Sequence, residues 1–255
     1  MGRLADVQEF IDRSRRAADF EELRALLSGI THDMGFDHFA LMHHLDMRLW
    51  SERRIVALSD YPDSWKVLYI EQQFQGSDPI VLAAQRTAVG FRWAEVDRLV
   101  SLNPVHRKRM ELGRRAGIAD GFTVPANIPG ETCGSCTFTM RPGHALPEEN
   151  LPMAQLVGPF GFQAARELII LKAGAGAFER EERLTTRQLE CVLWLGRGKT
   201  AWETGQILGI TADTVNEHLD EARRRYGVSR RVELVVHAAF RGELALTDMV
   251  STTPH

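Results

Sequence analysis

Three aromatic side chains and one carboxylate between residues 61 and 80 could form a ligand site. Tyr61, Trp65 and Tyr69 recur every four residues, so on a helix they share one face. Asp78 follows, directly before the apolar run at 80–82. Rings with polar tips and one carboxylate beside apolar residues are typical of a pocket that orients a small, mostly apolar ligand through a few hydrogen bonds. An aromatic core stripe, with Asp78 as a helix or turn cap, is the alternative.

A second candidate site lies between residues 184 and 246, which read as four short helices. Thr185 with Gln188, and Thr200 with Glu203, each match a capping box, in which a hydroxyl and a later carboxylate or amide satisfy free N–H groups. Two short helices, a turn and a longer third helix predict a helix-turn-helix. The remaining predicted boundaries are Gly209, Thr211 and Gly227, with Ser229 starting the fourth helix.

The third predicted helix has the residues to read DNA. Val215, Leu219 and Ala222 should face the core of this segment, against Leu193, Ile207 and Leu208. The opposite face carries amide and carboxylate side chains that can bind base edges. Phosphate contacts should come from basic residues of the segment, including Arg225, Arg230 and Arg231. We predict DNA contacts from Lys199, Thr200, Thr214, Asn216, Glu217, His218, Asp220, Arg223 and Arg224.

The charge of this segment predicts that two copies are needed to bind DNA. Residues 184–246 contain nine Lys+Arg and eight Asp+Glu, so one copy should bind DNA only modestly. A helical protein-binding domain is the alternative. The fourth helix offers a narrow apolar seam for self-pairing, formed by Val232, Val235, Val236 and Ala239.

Composition sets the class of protein. The 255 residues are 44% apolar and 25% charged with a formal charge of -3, which predicts one large or two small globular domains. Three cysteines do not suit a disulfide scaffold, and no run is long and apolar enough for a membrane span, so we expect a cytoplasmic protein. No Ser-His-Asp, metal or phosphate-loop arrangement stands out, so we predict neither an enzyme nor a cofactor.

The first half should build an α+β domain. Two amphipathic helices are predicted from Val7, Phe10 and Ile11, and from Leu23, Leu26, Leu27 and Ile30. Strands are predicted at 39–43, 53–58, 121–125 and 136–140. We expect an α-β-α sandwich with a central antiparallel sheet and a ligand between sheet and helices. The long helix predicted at 148–171 should bury Met153, Leu156, Val157, Phe160 and Phe162 and bend at Pro159.

Three other groups of residues are most simply interpreted as structural rather than functional. His43 and His44 alternate on a strand and therefore cannot chelate one metal together. Cys133 and Cys136 are half of a zinc site at most and should be packing residues, with redox sensing as the alternative. The helix at 103–116 carries a basic run that is typical of a solvated face, with anion binding as the alternative. That run is Arg107, Lys108, Arg109, Arg114 and Arg115.

The C-terminal segment resembles the DNA-binding domain of LuxR-type transcription factors. Gln188 stands where the family usually has Glu, but the cap chemistry is retained. The matching residues are Leu184-Thr185-x-Arg187, Gly198-Lys199-Thr200, Ile207-Leu208, Thr214-Val215-Asn216-x-His218-Leu219, Ala222-Arg223-Arg224 and Val228.

The first half resembles the autoinducer-binding domain of quorum-sensing LuxR receptors, and not the receiver domain of a response regulator. The match lies in Tyr61-x-x-x-Trp65-x-x-x-Tyr69, Asp78-Pro79, Trp93 and Gly121-x-Thr123-x-Pro125. The resemblance implies an autoinducer-binding domain at 1–171, a linker at 172–183, and a DNA-binding domain with a C-terminal tail at 184–255.

The resemblance also implies residue roles toward an acyl-homoserine lactone. Trp65 would donate to the lactone carbonyl, and Asp78 would accept from the amide N–H. Tyr61, with a hydroxyl near Thr137, would hold the acyl carbonyl, while Ser135 and Thr139 are alternatives to Thr137. Tyr69 and Trp93 would wall the pocket.

The implied protein is a dimeric, ligand-responsive regulator of operator DNA, with RNA polymerase as an open further partner and no membrane partner. A solo regulator that answers a non-lactone molecule, or is active without ligand, is the alternative. The resemblance leaves open whether the ligand promotes or abolishes DNA binding.

Overall fold

The computed structural model describes residues 3–44, 55–72, 74–128, 133–173 and 183–250. The chain divides into two compact units, whose described parts fall within residues 3–173 and 183–250. Most of the predicted linker, the tail beyond residue 250 and the first residues of the strand predicted at 53–58 lie outside the described residues.

The first unit is built on a five-stranded sheet. Its order is β2-β1-β5-β4-β3, and every pairing is antiparallel, as predicted. The predicted hairpin is confirmed, since Leu41 lies opposite Leu58. The strands are β1 His38–His43, β2 Ala57–Ser59, β3 Phe91–Arg92, β4 Asp120–Pro125 and β5 Gly134–Met140.

One face of this sheet is apolar and packs under three helices. These are α1 Arg3–Ser14, α2 Phe20–Asp33 and α6 Leu151–Ala173. Alternate strand residues such as Phe39, Leu41 and Phe138 point into this core. Leu156 was predicted to be buried but is exposed, because it lies on the outer side of α6. The helix runs through Pro159 without interruption, and a 3-10 turn at Glu148–Asn150 precedes it.

The opposite face of the sheet carries Met42 beside small and hydroxyl-bearing residues. Ala40, Met42, Ser135 and Thr137 line a cavity there, because each alternates with a residue of the apolar face. Short helices cover this side: α3 Asp63–Glu71, α4 Pro79–Ala84 and α5 Pro104–Arg115, with 3-10 turns at Phe74–Ser77 and Trp93–Arg98. The predicted sandwich, with helices on both faces, is confirmed.

The second unit is entirely helical in its described residues. Its helices are α7 Thr186–Gly196, α8 Ala201–Leu208, α9 Ala212–Tyr226, α10 Arg231–Phe240 and α11 Leu246–Val250. Both predicted capping boxes are present, and Thr211 caps α9. Gly209 and Gly227 end their helices at φ 68° and 65°, a left-handed conformation that glycine adopts without a Cβ clash.

Two predictions for this unit need correction. The N-cap of α10 is Arg230, one residue after the predicted Ser229. The Glu233 carboxylate accepts from the backbone N–H groups of both Ser229 and Arg230. Ile207 is exposed rather than packed under α9, whereas its neighbour Leu208 does contact the core.

In the part of the chain that the structure describes, no helix is long and apolar enough to cross a membrane. The same residues contain no cluster of His, Cys, Asp and Glu that could hold a metal ion. Cys133 and Cys136 are free thiols, and burial raises the pKa of the Cys136 thiol well above its usual range.

Candidate ligand cavity and nucleic-acid interface

A cavity of about 210 Å³ lies between the hydroxyl-bearing face of the sheet and helices α3 to α5. All six residues that sequence analysis assigned to a ligand line this one cavity. They come from separate stretches of the chain, which only the folded sheet and helix layer bring together. They are Tyr61, Trp65, Tyr69, Asp78, Trp93 and Thr137.

The aromatic wall is formed by α3 and the turn that follows it. Trp65 and Tyr69 are buried, and their ring centroids lie 5.7 Å apart in an edge-on arrangement. Phe74 stacks on Trp65 at 6.0 Å. Because these contacts fix the rings, the wall is rigid and apolar, with the indole N–H and the phenol groups as its polar points. Burial raises the pKa of the Tyr61 hydroxyl, which therefore remains a donor.

Among the described residues that line the cavity, Asp78 is the only carboxylate. Its side chain is 3% exposed, and one oxygen caps α4 by accepting from the Ile80 N–H at 2.9 Å. The other oxygen accepts from the Tyr69 hydroxyl at 3.0 Å and forms an ion pair with Arg109. Burial, and then the nearby Asp78 charge, raise the pKa of Tyr69 well above its usual range, which keeps this hydroxyl protonated.

Arg109 corrects the prediction of a solvated basic face on α5. Its side chain is 6% exposed and lines the cavity, whereas Arg107, Lys108, Arg114 and Arg115 are exposed as predicted. Arg109 lies on the buried side of α5 with His106 and Gly113, at i, i+3 and i+7. This spacing was the available sequence signal, but the basic neighbours obscured it.

A line of hydroxyls runs from Thr123, which is buried and not part of the lining, to Thr137, which lines the cavity. The Trp93 indole N–H donates to Thr123 Oγ1 at 3.0 Å, and Thr123 Oγ1 lies 3.0 Å from Thr137 Oγ1. Thr123 was noted in the family motif but was not predicted as a site residue. Of the two alternatives to Thr137, Ser135 lines the cavity and Thr139 does not.

The two histidines at the end of β1 also line the cavity and were not predicted to do so. His44 Nε2 lies 2.8 Å from Ser135 Oγ, while the His43 ring packs edge-on against Phe162 at 5.1 Å. Burial, together with the His43 charge, lowers the pKa of His44 to about 4. His44 is therefore neutral near pH 7.

The candidate nucleic-acid interface is the outer face of α9. Val215, Leu219 and Ala222 are buried as predicted. On the outer side, Arg231 donates to Asn216 Oδ1 at 2.7 Å and Arg223 pairs with Asp220 at 2.7 Å. These contacts place Arg223 and Arg231 next to the polar side chains of α9 that are predicted to bind base edges. Among the other predicted DNA contacts, the exposed side chains are Thr200, Glu217 and Arg224. The partly buried ones are Lys199, Thr214 and His218.

The seam predicted on α10 has two exposed positions. Val232 is 65% exposed and Val236 is 59% exposed, and they lie one turn apart. Val235 and Ala239 are partly buried, and Val235 packs against the core of its own unit. The exposed part of the seam is therefore narrower than predicted, because part of Val235 is already covered.

Comparison with known proteins identifies both units. Residues 19–165 match the model of the autoinducer binding domain, and residues 182–238 match the model of bacterial regulatory proteins of the luxR family.

Relatives align with most of the chain. The chain is 28% identical over 241 residues to the transcriptional activator protein AhyR of Aeromonas hydrophila, covering 92% of this chain and 91% of that protein. It is 31% identical over 189 residues to the transcriptional activator protein BjaR1 of Bradyrhizobium diazoefficiens, covering 72% and 74%. The crystal structure of Escherichia coli SdiA shares the fold, with a TM-score of 0.67 at 19% identity over 94% of this chain and 98% of that chain. The chain therefore belongs to the LuxR-type quorum-sensing transcription regulators, with an autoinducer-binding domain followed by a luxR-family helix-turn-helix domain.

Proposed function

We propose that this regulator binds an acyl-homoserine lactone in the cavity and binds operator DNA as a dimer through α9. In this proposal residues 1–171 form the sensor domain, 172–183 the linker and 184–255 the DNA-binding domain with its tail. The observation that carries the ligand assignment is the hydrogen-bonding capacity that remains around Asp78.

Asp78 has capacity for one more donor. A carboxylate offers about four acceptor positions. The Ile80 N–H, the Tyr69 hydroxyl and Arg109 occupy three of them. An acyl-homoserine lactone has one amide N–H, and its remaining polar groups are acceptors. Trp65, Tyr61 and the hydroxyl line at Thr137 are donors that suit those acceptors.

The DNA assignment is supported by the arrangement of charge on α9 and α10. Arg223 and Arg231 lie beside Asp220 and Asn216, so phosphate binding and base reading would come from adjacent side chains. The exposed Val232 and Val236 are available for pairing with a second copy. A near-neutral unit gains affinity from such pairing, because two half-sites are then bound together.

The ligand proposal is tested by isothermal titration and thermal shift of the full chain with acyl-homoserine lactones of graded acyl length. We expect at least one lactone to bind and to raise the melting temperature. Trp65→Phe, which removes the indole N–H but keeps the ring, should weaken that binding about 10-fold. A well-folded chain that binds no lactone in the series would refute the proposal.

The DNA proposal has its own test. Operator sequences selected from a random pool should contain two half-sites, and Val232→Glu should weaken their mobility shift more than Ile207→Glu does. Ile207 is an exposed apolar residue on α8 and serves as the matched control. Selection of a single half-site, bound equally well by both variants, would exclude pairing through α10.

A further inference from the structure

Arg109 lines the cavity but is not one of the ligand-binding residues that the family resemblance implies. Its guanidinium lies over the rings of Trp65 and Tyr69, at 5.2 Å and 5.6 Å from their centroids. Gly113, one turn further along α5, also lies against this group, since a Cβ at that position would be in ordinary van der Waals contact with Trp65 Cη2 at 3.5 Å. The side chain is thus held in one place by two rings and by the Asp78 carboxylate.

The donors of Arg109 exceed the acceptors around it. A guanidinium carries several N–H groups in a fixed fork and accepts nothing. Arg109 gives one nitrogen to Asp78 and also hydrogen-bonds the Tyr69 hydroxyl, while its buried Nε has no acceptor among the described residues. A buried donor without an acceptor costs about 1–3 kcal/mol, so a ligand that supplies an acceptor at this point gains binding energy.

The position of Arg109 sets which end of a ligand it would contact. It touches Trp65 and Asp78, the two residues that the proposed function assigns to the lactone carbonyl and the amide N–H. Its free donors are therefore next to the head group and not the acyl chain. The charges of Asp78 and Arg109 cancel, so a ligand carboxylate would add an unbalanced buried charge, whereas a neutral carbonyl would not.

We propose that Arg109 is a specificity-determining residue that selects a neutral head group bearing a carbonyl or ring oxygen, such as a lactone, over heads without an acceptor. This inference rests on the proposed function, because it assumes that an N-acyl amide binds in the cavity. It assigns to Arg109 a recognition task beyond neutralising Asp78.

The test compares ligand pairs that differ only in the head group. N-acyl-homoserine lactones and N-acyl-cyclopentylamides of the same acyl chain, in a series of graded acyl length, are titrated against the full chain. The wild type should prefer the lactone about 100-fold, and Arg109→Met should reduce that preference at least about 10-fold. Arg114→Met, an exposed position on α5, should leave it unchanged.

A second pair of variants separates recognition from folding. Removing Arg109 alone leaves Asp78 buried without its partner, so Arg109→Met is also made in the Asp78→Asn background. The preference for the lactone should decrease from Asp78→Asn to the double variant by about the same factor as it decreases from the wild type to Arg109→Met. If Arg109→Met alone does not fold, the comparison of Asp78→Asn with the double variant tests the role of Arg109 in lactone preference.

The outcomes are distinct. If the wild type binds neither lactones nor cyclopentylamides, the proposed function fails. If it binds lactones but Arg109→Met keeps the full preference in both backgrounds, only the inference about Arg109 is overturned. The ring-opened N-acyl-homoserine, which carries a carboxylate, should bind the wild type at least about 10-fold more weakly than the lactone. Equal or tighter binding of that acid would overturn the requirement for a neutral head group.

Discussion

The two units of the chain satisfy their polar groups over very different sequence distances. In the DNA-binding unit, Thr185–Gln188 and Thr200–Glu203 each join residues three positions apart. In the sensor unit, Asp78–Arg109 joins residues 31 apart and Trp93–Thr123 joins residues 30 apart. The cap pairs are local, and their hydrogen bonds are exposed or partly buried, whereas the cavity pairs are remote and buried. Local pairs should therefore contribute small, independent stabilities, and buried remote pairs should be costly to break and strongly coupled.

The largest expected effect is at the Asp78–Arg109 pair. Asp78→Ala leaves a buried guanidinium without its counter-charge, so we expect it to lower the free energy of unfolding by about 3–5 kcal/mol. The measurement is urea unfolding followed through the fluorescence of the buried Trp65 and Trp93. The matched control is Asp63→Ala, whose 94% exposed carboxylate also pairs with a cation and should change stability by less than about 0.5 kcal/mol.

Coupling sharpens that prediction. Adding Arg109→Met to Asp78→Ala removes the stranded charge, so the double variant should be more stable than the sum of the two single effects by about 1–3 kcal/mol. Strict additivity would mean that water already solvates the pair in the folded chain.

The same difference in distance explains what could be predicted from the sequence. The caps at Thr185, Thr200 and Thr211 could be identified because donor and acceptor lie within one helical turn. The antiparallel sheet followed from the alternation of residues and the lack of a strand-helix-strand rhythm. Part of the aromatic wall followed from the spacing of Trp65 and Tyr69 on α3, whereas Tyr61 precedes that helix and Phe74 follows it.

The partners of the cavity residues could not be predicted, because they depend on how the helix layer rests on the sheet. Arg109 is in a basic run that looks solvated, and only the packing of α5 shows that one member of the run is turned inward. His44 and Ser135 are 91 residues apart, and the pairing of β1 with β5 brings them together. The exposure of Ile207 is a further case. Adjacent residues on a helix point in different directions, and only the packing of α8 shows that Leu208 is the one turned inward.

The next effect depends on pH and arises at His44, whose contact with Ser135 is remote in sequence and partly buried. Its folded pKa of about 4 lies below the ordinary value of 6.5, so protons bind more tightly to the unfolded chain. Its contribution to stability is present above pH 6.5 and is lost as the pH falls from 6.5 through 4, by about 3 kcal/mol in total. His44→Gln, which can still bond to Ser135, should flatten the stability-against-pH curve across that window.

Urea unfolding at several pH values between 4 and 7 checks this prediction. His32→Gln is the control, because this histidine is exposed on α2 of the same unit and should leave the curve unchanged. An unaltered slope in His44→Gln would assign the acid sensitivity of the sensor unit to other groups.

A smaller effect is expected where the sheet closes around Trp93. A Cβ at Gly121 would lie 2.7 Å from the Phe138 carbonyl oxygen and 3.0 Å from Trp93 Cε2, so Gly121→Ala must displace backbone and should cost about 1–3 kcal/mol. Gly29 on α2 has nothing within 4 Å of a built Cβ, so Gly29→Ala should instead stabilise the unit by about 0.5–1 kcal/mol. Thermal melts of both variants check the two opposite signs, and a shift of the same sign would contradict this description of the packing.

The smallest effect tests the local side of the comparison. The Thr200 hydroxyl accepts from the Glu203 N–H at 3.2 Å, and Thr185 Oγ1 accepts from the Gln188 N–H at 3.3 Å. Thr200→Ala and Thr185→Ala should each cost about 1 kcal/mol. Because the caps belong to different helices and share no bond, the double variant should equal their sum within about 0.5 kcal/mol. Thr→Ser at each position retains the hydroxyl and is the control. A double variant far from additive would show that the caps act through the shared core of the unit, and the contrast with Asp78 and Arg109 would then be one of burial rather than of sequence distance.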